Sequence, residues 1–119
     1  LGNTFGAGGL QLNVSEFAKL GLLYLQKGKW NGQQLIPEQW VKEAGSAQII
    51  SDQGDDEIGR HYGYLFWTMP DGAFRADGKY GQYCVVLPKK NAVVAINSMQ
   101  IEDEKKVLRA AVRTVFSLL

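Results

Sequence analysis

The stretch Gln82-Tyr83-Cys84-Val85-Val86-Leu87, followed by Pro88-Lys89-Lys90-Asn91 and then by Ala92-Val93-Val94-Ala95-Ile96-Asn97-Ser98, decides the fold. Residues 82–87 and 92–98 have the length and β-branched content of strands, because branched side chains sit comfortably on a pleated surface. The four residues between them are too few for a crossover, so the two strands pair antiparallel. Val85-Val86-Leu87 and Ala92-Val93-Val94-Ala95-Ile96 are apolar at every position, the pattern of strands buried on both faces.

Working upstream, residues 73–76 form a further strand, separated from residue 82 by Asp77-Gly78-Lys79-Tyr80-Gly81. It is preceded by Pro70-Asp71-Gly72, a turn in which proline fixes φ and glycine permits a left-handed corner. From His61 the period is two: Tyr62, Tyr64 and Phe66 on one side of a strand, Leu65 and Trp67 on the other. Working downstream, a helix starts near Glu102-Asp103-Glu104, acids at the positive end of its dipole. Val107, Leu108, Ala111, Val112, Val115, Leu118 and Leu119 form its apolar stripe, with Arg109 and Arg113 on the other side, so it is expected to pack across the sheet.

The first half of the chain is helical. Asn13-Val14-Ser15-Glu16 carries an N-cap residue with Glu three positions later, a capping box. Val14, Phe17, Ala18, Gly21, Leu22 and Leu25 recur at helical spacing, Leu20, Leu23 and Tyr24 widen the apolar face, and Gly28 stands where a stop belongs. Lys29-Trp30-Asn31-Gly32 reads as a turn. Pro37 opens a second helix through Trp40, Val41 and Ala44, ended by Gly45. Residues 46–60, with Asp52, Gly54, Asp55, Asp56, Glu57 and Gly59, read as an exposed loop. The expected class is α+β: an antiparallel sheet of three to four strands packed with the N-terminal helices and a C-terminal helix, in one segment spanning 1–119.

The composition of the 119 residues is that of a globular chain, with 45% hydrophobic and 21% charged residues, which excludes a disordered tail. Thirteen basic residues against twelve acidic leave +1, so there is no electrostatic footprint for nucleic acid. One cysteine, Cys84, excludes an internal disulfide framework and a cysteine zinc cage. No apolar run reaches the roughly 18 residues of a membrane span. The chain opens on Leu1-Gly2-Asn3-Thr4-Phe5-Gly6-Ala7-Gly8-Gly9, loop-like and without an initiator Met or a secretory signal, and is expected to be a piece of a longer protein.

Several residue types invite chemistry. None of the five serines, Ser15, Ser46, Ser51, Ser98 and Ser117, sits in Gly-x-Ser-x-Gly or has Lys three residues later. A triad of Ser51, His61 and a loop acid is conceivable, but triads are proved by geometry. His61, the sole histidine, reads more plainly as a strand-edge residue than as a base or ligand. Asp52, Asp55, Asp56 and Glu57 lack the calcium-loop spacing and read as a solvated loop. Cys84 reads as a buried thiol, and Trp30, Trp40 and Trp67 as core residues rather than as a stacking platform. The segment Phe74-Arg75-Ala76-Asp77-Gly78-Lys79-Tyr80-Gly81-Gln82-Tyr83 stands apart. Backbone N–H groups at this strand mouth could face an oxyanion, and Lys79 or Arg75 a carboxylate, while a plain glycine hairpin is the simpler reading.

Taken in order, Gly8-Gly9-Leu10-Gln11-Leu12, Phe17-Ala18-Lys19-Leu20-Gly21, Tyr24-Leu25-Gln26-Lys27-Gly28-Lys29-Trp30-Asn31-Gly32, Leu35-Ile36-Pro37, Trp40-Val41, Tyr62-Gly63-Tyr64-Leu65-Phe66-Trp67, Gly81-Gln82-Tyr83 and Val86-Leu87-Pro88 carry a resemblance. Over roughly residues 6–119 the chain resembles the C-terminal part of the serine beta-lactamase-like hydrolases. That family includes class C beta-lactamases, DD-peptidases, penicillin-binding-protein-like esterases and related amide hydrolases. The resemblance implies an acyl-enzyme reaction on a small-molecule ester or amide, without metal or organic cofactor. The family's Ser-x-x-Lys and its Tyr-x-Asn or Ser-x-Asn elements do not occur here, and in a complete member would lie upstream of Leu1.

The third family element, a Lys-Thr-Gly or His-x-Gly type triplet, corresponds to Ala76-Asp77-Gly78 when aligned through Gly81-Gln82-Tyr83, or to Lys79-Tyr80-Gly81 when aligned on the cation. His61-Tyr62-Gly63 also fits the letters. The resemblance thus implies a substrate and oxyanion wall among Ala76, Asp77, Gly78, Lys79, Tyr80, Gly81 and Gln82, with Gly81 and Gln82 nearest the donor position. It also implies no turnover by this segment alone, and a severed half-domain is expected to self-associate through exposed apolar surface. A non-catalytic binding module on the same half-fold, using the aromatic strand 62–67 and the Gly-rich turn to hold a ligand or a partner chain, is the alternative. The resemblance allows an extracytoplasmic or a cytoplasmic protein.

Overall fold

The computed structural model describes residues 8–52 and 54–119. The opening residues 1–7, read above as loop, lie outside that range.

Helix α1, Val14–Leu25, starts on a reciprocal cap. The Asn13 side chain accepts the Glu16 N–H at 2.9 Å, and the Glu16 carboxylate accepts the Asn13 N–H at 3.1 Å. Two backbone donors that a helix start leaves free are thereby satisfied. The helix ends on Lys27 and Gly28, both left-handed (φ 56° and 82°), with the Gly28 N–H donating to the Leu23 carbonyl. Asn31 and Gly32, also at positive φ, turn the chain between the two-residue strands β1 (Lys29–Trp30) and β2 (Gln33–Gln34). Helix α2, Glu38–Ala44, begins after Pro37 and ends at Gly45.

The main sheet has four antiparallel strands in sequential order: β3 (Trp67–Thr68), β4 (Phe74–Gly78), β5 (Gln82–Leu87) and β6 (Ala92–Ile96). Tyr83 faces Ile96 and Val85 faces Val94 across β5 and β6, while Cys84 pairs with Ala95 and Val86 with Val93. Because side chains alternate across a strand, each set belongs to one face. The first set forms a core with Leu108 and Val107 of helix α3 (Lys105–Leu118) and with Ile58. The other face holds Val86 and Phe74 against Ala44, Phe66 and Tyr24. On that face Gly21 of α1 lies so close to Cys84 and Val93 that no side chain fits between. β5 is thereby buried on both faces, as its apolar run requires, whereas the equally apolar β6 is only half-buried at all five positions, being the edge strand of the described sheet; the molecule is α+β.

Four readings of the sequence need correction. The aromatic stretch 62–67 is not one strand: Tyr62 makes isolated bridges to Ile49 and Trp67, and the chain doubles back through Gly63–Phe66 with Leu65 at φ 65°. Phe66 is therefore buried while Tyr64 and Leu65 are exposed. Pairing with Ile49 and the tight return overrode the alternating pattern. The loop 46–60 is not simply exposed, because Ile58 is fully buried and Asp55 and Glu57 pair with Arg109 and Arg113 of α3. Trp40 is not a core residue: it is 47% exposed and stacks on Tyr64 with ring centroids 5.1 Å apart. Finally, strand β4 continues through Asp77 and Gly78, which the sequence suggested as turn, and β6 stops at Ile96.

Candidate functional site

The segment singled out in the sequence is the closed end of the β4–β5 hairpin. Ala76, Asp77 and Gly78 are the last ladder residues of β4, opposite Cys84, Tyr83 and Gln82. Lys79, Tyr80 and Gly81 make the turn, with Tyr80 and Gly81 at φ 68° and 86°. The turn is stitched to the chain beyond β6. Ser98 Oγ donates to the Gly81 carbonyl at 2.5 Å and the Gln100 N–H to the Tyr80 carbonyl at 2.8 Å. A Cβ on Gly81 would meet Ser98 Oγ and the Glu104 carbonyl, so its backbone is packed inward against the start of α3. Gln82 is the ladder partner of Gly78.

The outer edge of β4 is different. The Met69 N–H donates to the Ala73 carbonyl at 2.8 Å, so Ala73 directs its backbone groups toward β3. By strand alternation Arg75 and Asp77 do the same. Arg75 is met by Trp67, but among the described residues β3 begins there, and no strand lies opposite Asp77. One N–H and one C=O of Asp77 therefore face an uncovered sheet edge, with the exposed Lys79 side chain two residues on.

Arg75 is the residue that sequence reading undervalued. It is 2% exposed, and its Nε lies 2.7 Å from Asp77 Oδ1 while Nη2 donates to Oδ2 at 3.2 Å. Nη1 donates to the Ile58 carbonyl, and the guanidinium sits 5.8 Å from the Trp67 ring centre. A planar cation with several donors suits this crowded role. Arg75 is thereby committed internally and does not offer itself to a substrate carboxylate, which leaves Lys79 as the segment's outward cation, its Nζ 4.9 Å from the Tyr80 ring centre. Burial pushes the Asp77 carboxyl up, more than the nearby Arg75 charge holds it down. The i, i+2 spacing of Arg75 and Asp77 on a strand was the signal for this pair.

The remaining candidates fall elsewhere. His61 Nδ1 is buried without a hydrogen-bond partner, while its carbonyl accepts the Thr68 N–H at 2.8 Å. Asp55, Asp56 and Glu57, three of the four acids that might have completed a triad or held calcium, are engaged by Arg109, Arg60 and Arg113. Among the described residues no three His, Cys, Asp or Glu side chains converge as metal ligands. The Cys84 thiol lies under α1 near the Phe17 carbonyl, and burial pushes its pKa up to about 11. Burial likewise pushes Tyr83 up to about 12, its hydroxyl donating to the Glu104 carbonyl at 2.7 Å. No described helix is long and apolar enough to cross a membrane.

Among solved structures, the chain is similar to one called "Putative 6-aminohexanoate-dimer hydrolase from Bacillus anthracis", with a TM-score of 0.61 and 21% sequence identity. The match covers 87% of this chain and 28% of that one, so this chain spans little more than a quarter of its length. The likeness establishes a shared fold over the covered part. No family model matches the chain, and no curated protein does.

Proposed function

We propose that this chain is the C-terminal part of a serine beta-lactamase-like hydrolase that cleaves an ester or amide through an acyl-enzyme. The observation that carries the reading is the uncovered edge of β4 at Ala76–Gly78, one of the three triplets that the sequence resemblance offers for the family's third motif, beside Lys79-Tyr80-Gly81 and His61-Tyr62-Gly63. Preformed backbone donors on a rigid strand are what acyl transfer needs, because they stabilise the oxyanion without reorganising. Asp77 contributes an N–H at that edge and Lys79 a nearby cation for a substrate carboxylate. Gly81 and Gln82 act less directly, by closing and holding the hairpin. The fold shared with a solved structure that carries a hydrolase name supports the reading.

The nucleophile and its base belong to the part of the parent protein outside this sequence, so this chain alone is expected to show no turnover. The test is to sequence the coding region upstream of Leu1 and to treat the full product and the isolated chain with a fluorophosphonate probe. An upstream Ser-x-x-Lys whose serine is labelled supports the proposal. Stoichiometric labelling of a serine within the isolated chain overturns it. The reading as a binding module has one observation in its favour, the exposed Trp40–Tyr64 stack beside Leu65. A start codon directly before Leu1 and neither upstream motif would select that reading.

A further inference from the structure

Asp77 is held by β5 on one side only. Ala76 and Gly78 pair with Cys84 and Gln82, whereas the Asp77 backbone groups point away from β5 and meet no strand among the described residues. Just beyond, Tyr80 and Gly81 bend the chain at positive φ. Backbone that is unpaired on one side and next to a tight turn opens readily unless something else fixes it.

The Asp77 side chain supplies that fixing. Side chains two apart on a strand share a face, and the Asp77 carboxylate reaches back along β4 to Arg75, with Oδ1 2.7 Å from Nε and Oδ2 3.2 Å from Nη2. A two-point contact between a planar guanidinium and a carboxylate sets direction as well as distance. The guanidinium is itself held from two further sides. Its Nη1 donates to the carbonyl of the fully buried Ile58, and the Trp67 ring of β3 lies against it. Ile58 belongs in turn to a closed loop, in which Asp55 and Gly59 exchange backbone hydrogen bonds of 3.1 and 2.7 Å and Asp55 is tied to Arg109 of α3. One buried cation thus anchors Asp77 to β3 and α3, while the Asp77 N–H stays free at the edge.

We propose that Arg75 is a positioning residue for the acyl transfer: through the Asp77 carboxylate it fixes the Asp77 N–H as a rigid oxyanion donor, without touching the substrate itself. This role rests on the hydrolase reading.

The test uses the full-length parent protein and a fluorophosphonate probe over a range of concentrations, so that the limiting acylation rate and the half-saturating concentration are read separately. Arg75→Gln alone leaves a buried carboxylate without its cation and is expected to disrupt the sheet. Combining Arg75→Gln with Asp77→Asn removes both charges and keeps the backbone N–H at position 77, so the fold should be retained, as circular dichroism and thermal unfolding would verify. The limiting rate of this double variant is expected to fall about ten- to a hundredfold at an unchanged half-saturating concentration. Asp77→Asn alone keeps one acceptor oxygen for Arg75 and should show a smaller loss of the same kind. An unchanged limiting rate in both folded variants would overturn the role, and so would a loss carried wholly by the half-saturating concentration, which marks direct contact with the probe. A parent protein that is not acylated at all would instead overturn the hydrolase reading, and this role with it.

Discussion

Gly21 offers the sharpest check on how α1 is seated. In an exposed helix interior, Gly→Ala stabilises by about 1 kcal/mol, because glycine loses more backbone freedom on folding. Here an added Cβ would lie 2.6 Å from Cys84 Sγ and 2.6 Å from Val93 Cγ1. Both contacts are about 1 Å inside the 3.5–4.0 Å optimum for such atoms. Neither neighbour can swing aside cheaply, since Cys84 is 2% exposed and Val93 is held in the β5–β6 ladder. The helix must retreat or the sheet must bend, and such overpacking costs roughly 1–3 kcal/mol.

The propensity gain offsets part of this, so Gly21→Ala is expected to destabilise by about 0–2 kcal/mol. Gly21→Val gains little propensity and adds two methyl groups, so it should cost more. The assay is urea unfolding followed by tryptophan fluorescence. Adding Cys84→Ala and Val93→Ala opens the space, and the triple variant should show a coupling of roughly 0.5–3 kcal/mol in favour of the pair of changes. A Gly21→Ala protein that is more stable than the parent would refute the packing of α1 on β5 and β6.

Three further outcomes follow. Arg109, hydrogen-bonded to Asp55, holds that carboxyl down at about 2 against an ordinary 3.8. The folded value is the lower one, so the stability from this pair is present above 3.8 and is lost as the pH falls toward 2; Arg109→Gln should flatten that acid limb in pH-dependent unfolding. Buried beneath α1 with its pKa raised to about 11, Cys84 should resist a thiol reagent at pH 8 until urea is added. Fast labelling of the native chain would contradict its placement. Trp40→Ala removes a half-exposed stack on Tyr64 together with a hydrogen bond to Tyr24 and should cost roughly 1–3 kcal/mol by thermal unfolding, whereas a loss near about 5 kcal/mol, the upper end for a core tryptophan, would mean that Trp40 is buried.

Local chemistry was legible wherever it is local in origin. The Asn13–Glu16 cap, the Asn31-Gly32 turn and the Pro37 helix start each depend on residues within a few positions, so their residue types suffice to place them. The covering of β5 on both faces was readable for a related reason, since a strand apolar at every position has no face it can leave in water, whereas the equally apolar β6 is only half-buried at the edge of the described sheet. The α3 stripe was right in its first half, where Val107, Leu108, Ala111 and Val112 meet the core, but Val115, Leu118 and Leu119 are exposed and Phe116, outside the stripe, packs in their place.

What the sequence by itself determined, then, was the three helices, the antiparallel β4–β5 and β5–β6 hairpins and the α+β class. Only the tertiary structure decided how the charged and aromatic side chains are used. Arg75 reads as a strand residue until the Ile58 carbonyl, 17 residues away, and the Asp77 carboxylate close around it. The acids at Asp55 and Glu57 read as solvated until α3, more than 50 positions further on, brings Arg109 and Arg113 to them. Tyr62–Trp67 alternates like a strand, yet pairing with Ile49 folds it back on itself and leaves Tyr64 outside. Apart from Asp77, whose i, i+2 spacing to Arg75 was visible, the deciding partners are distant in sequence. Burial and ion pairing depend on where the chain returns, and residue spacing carries no record of that.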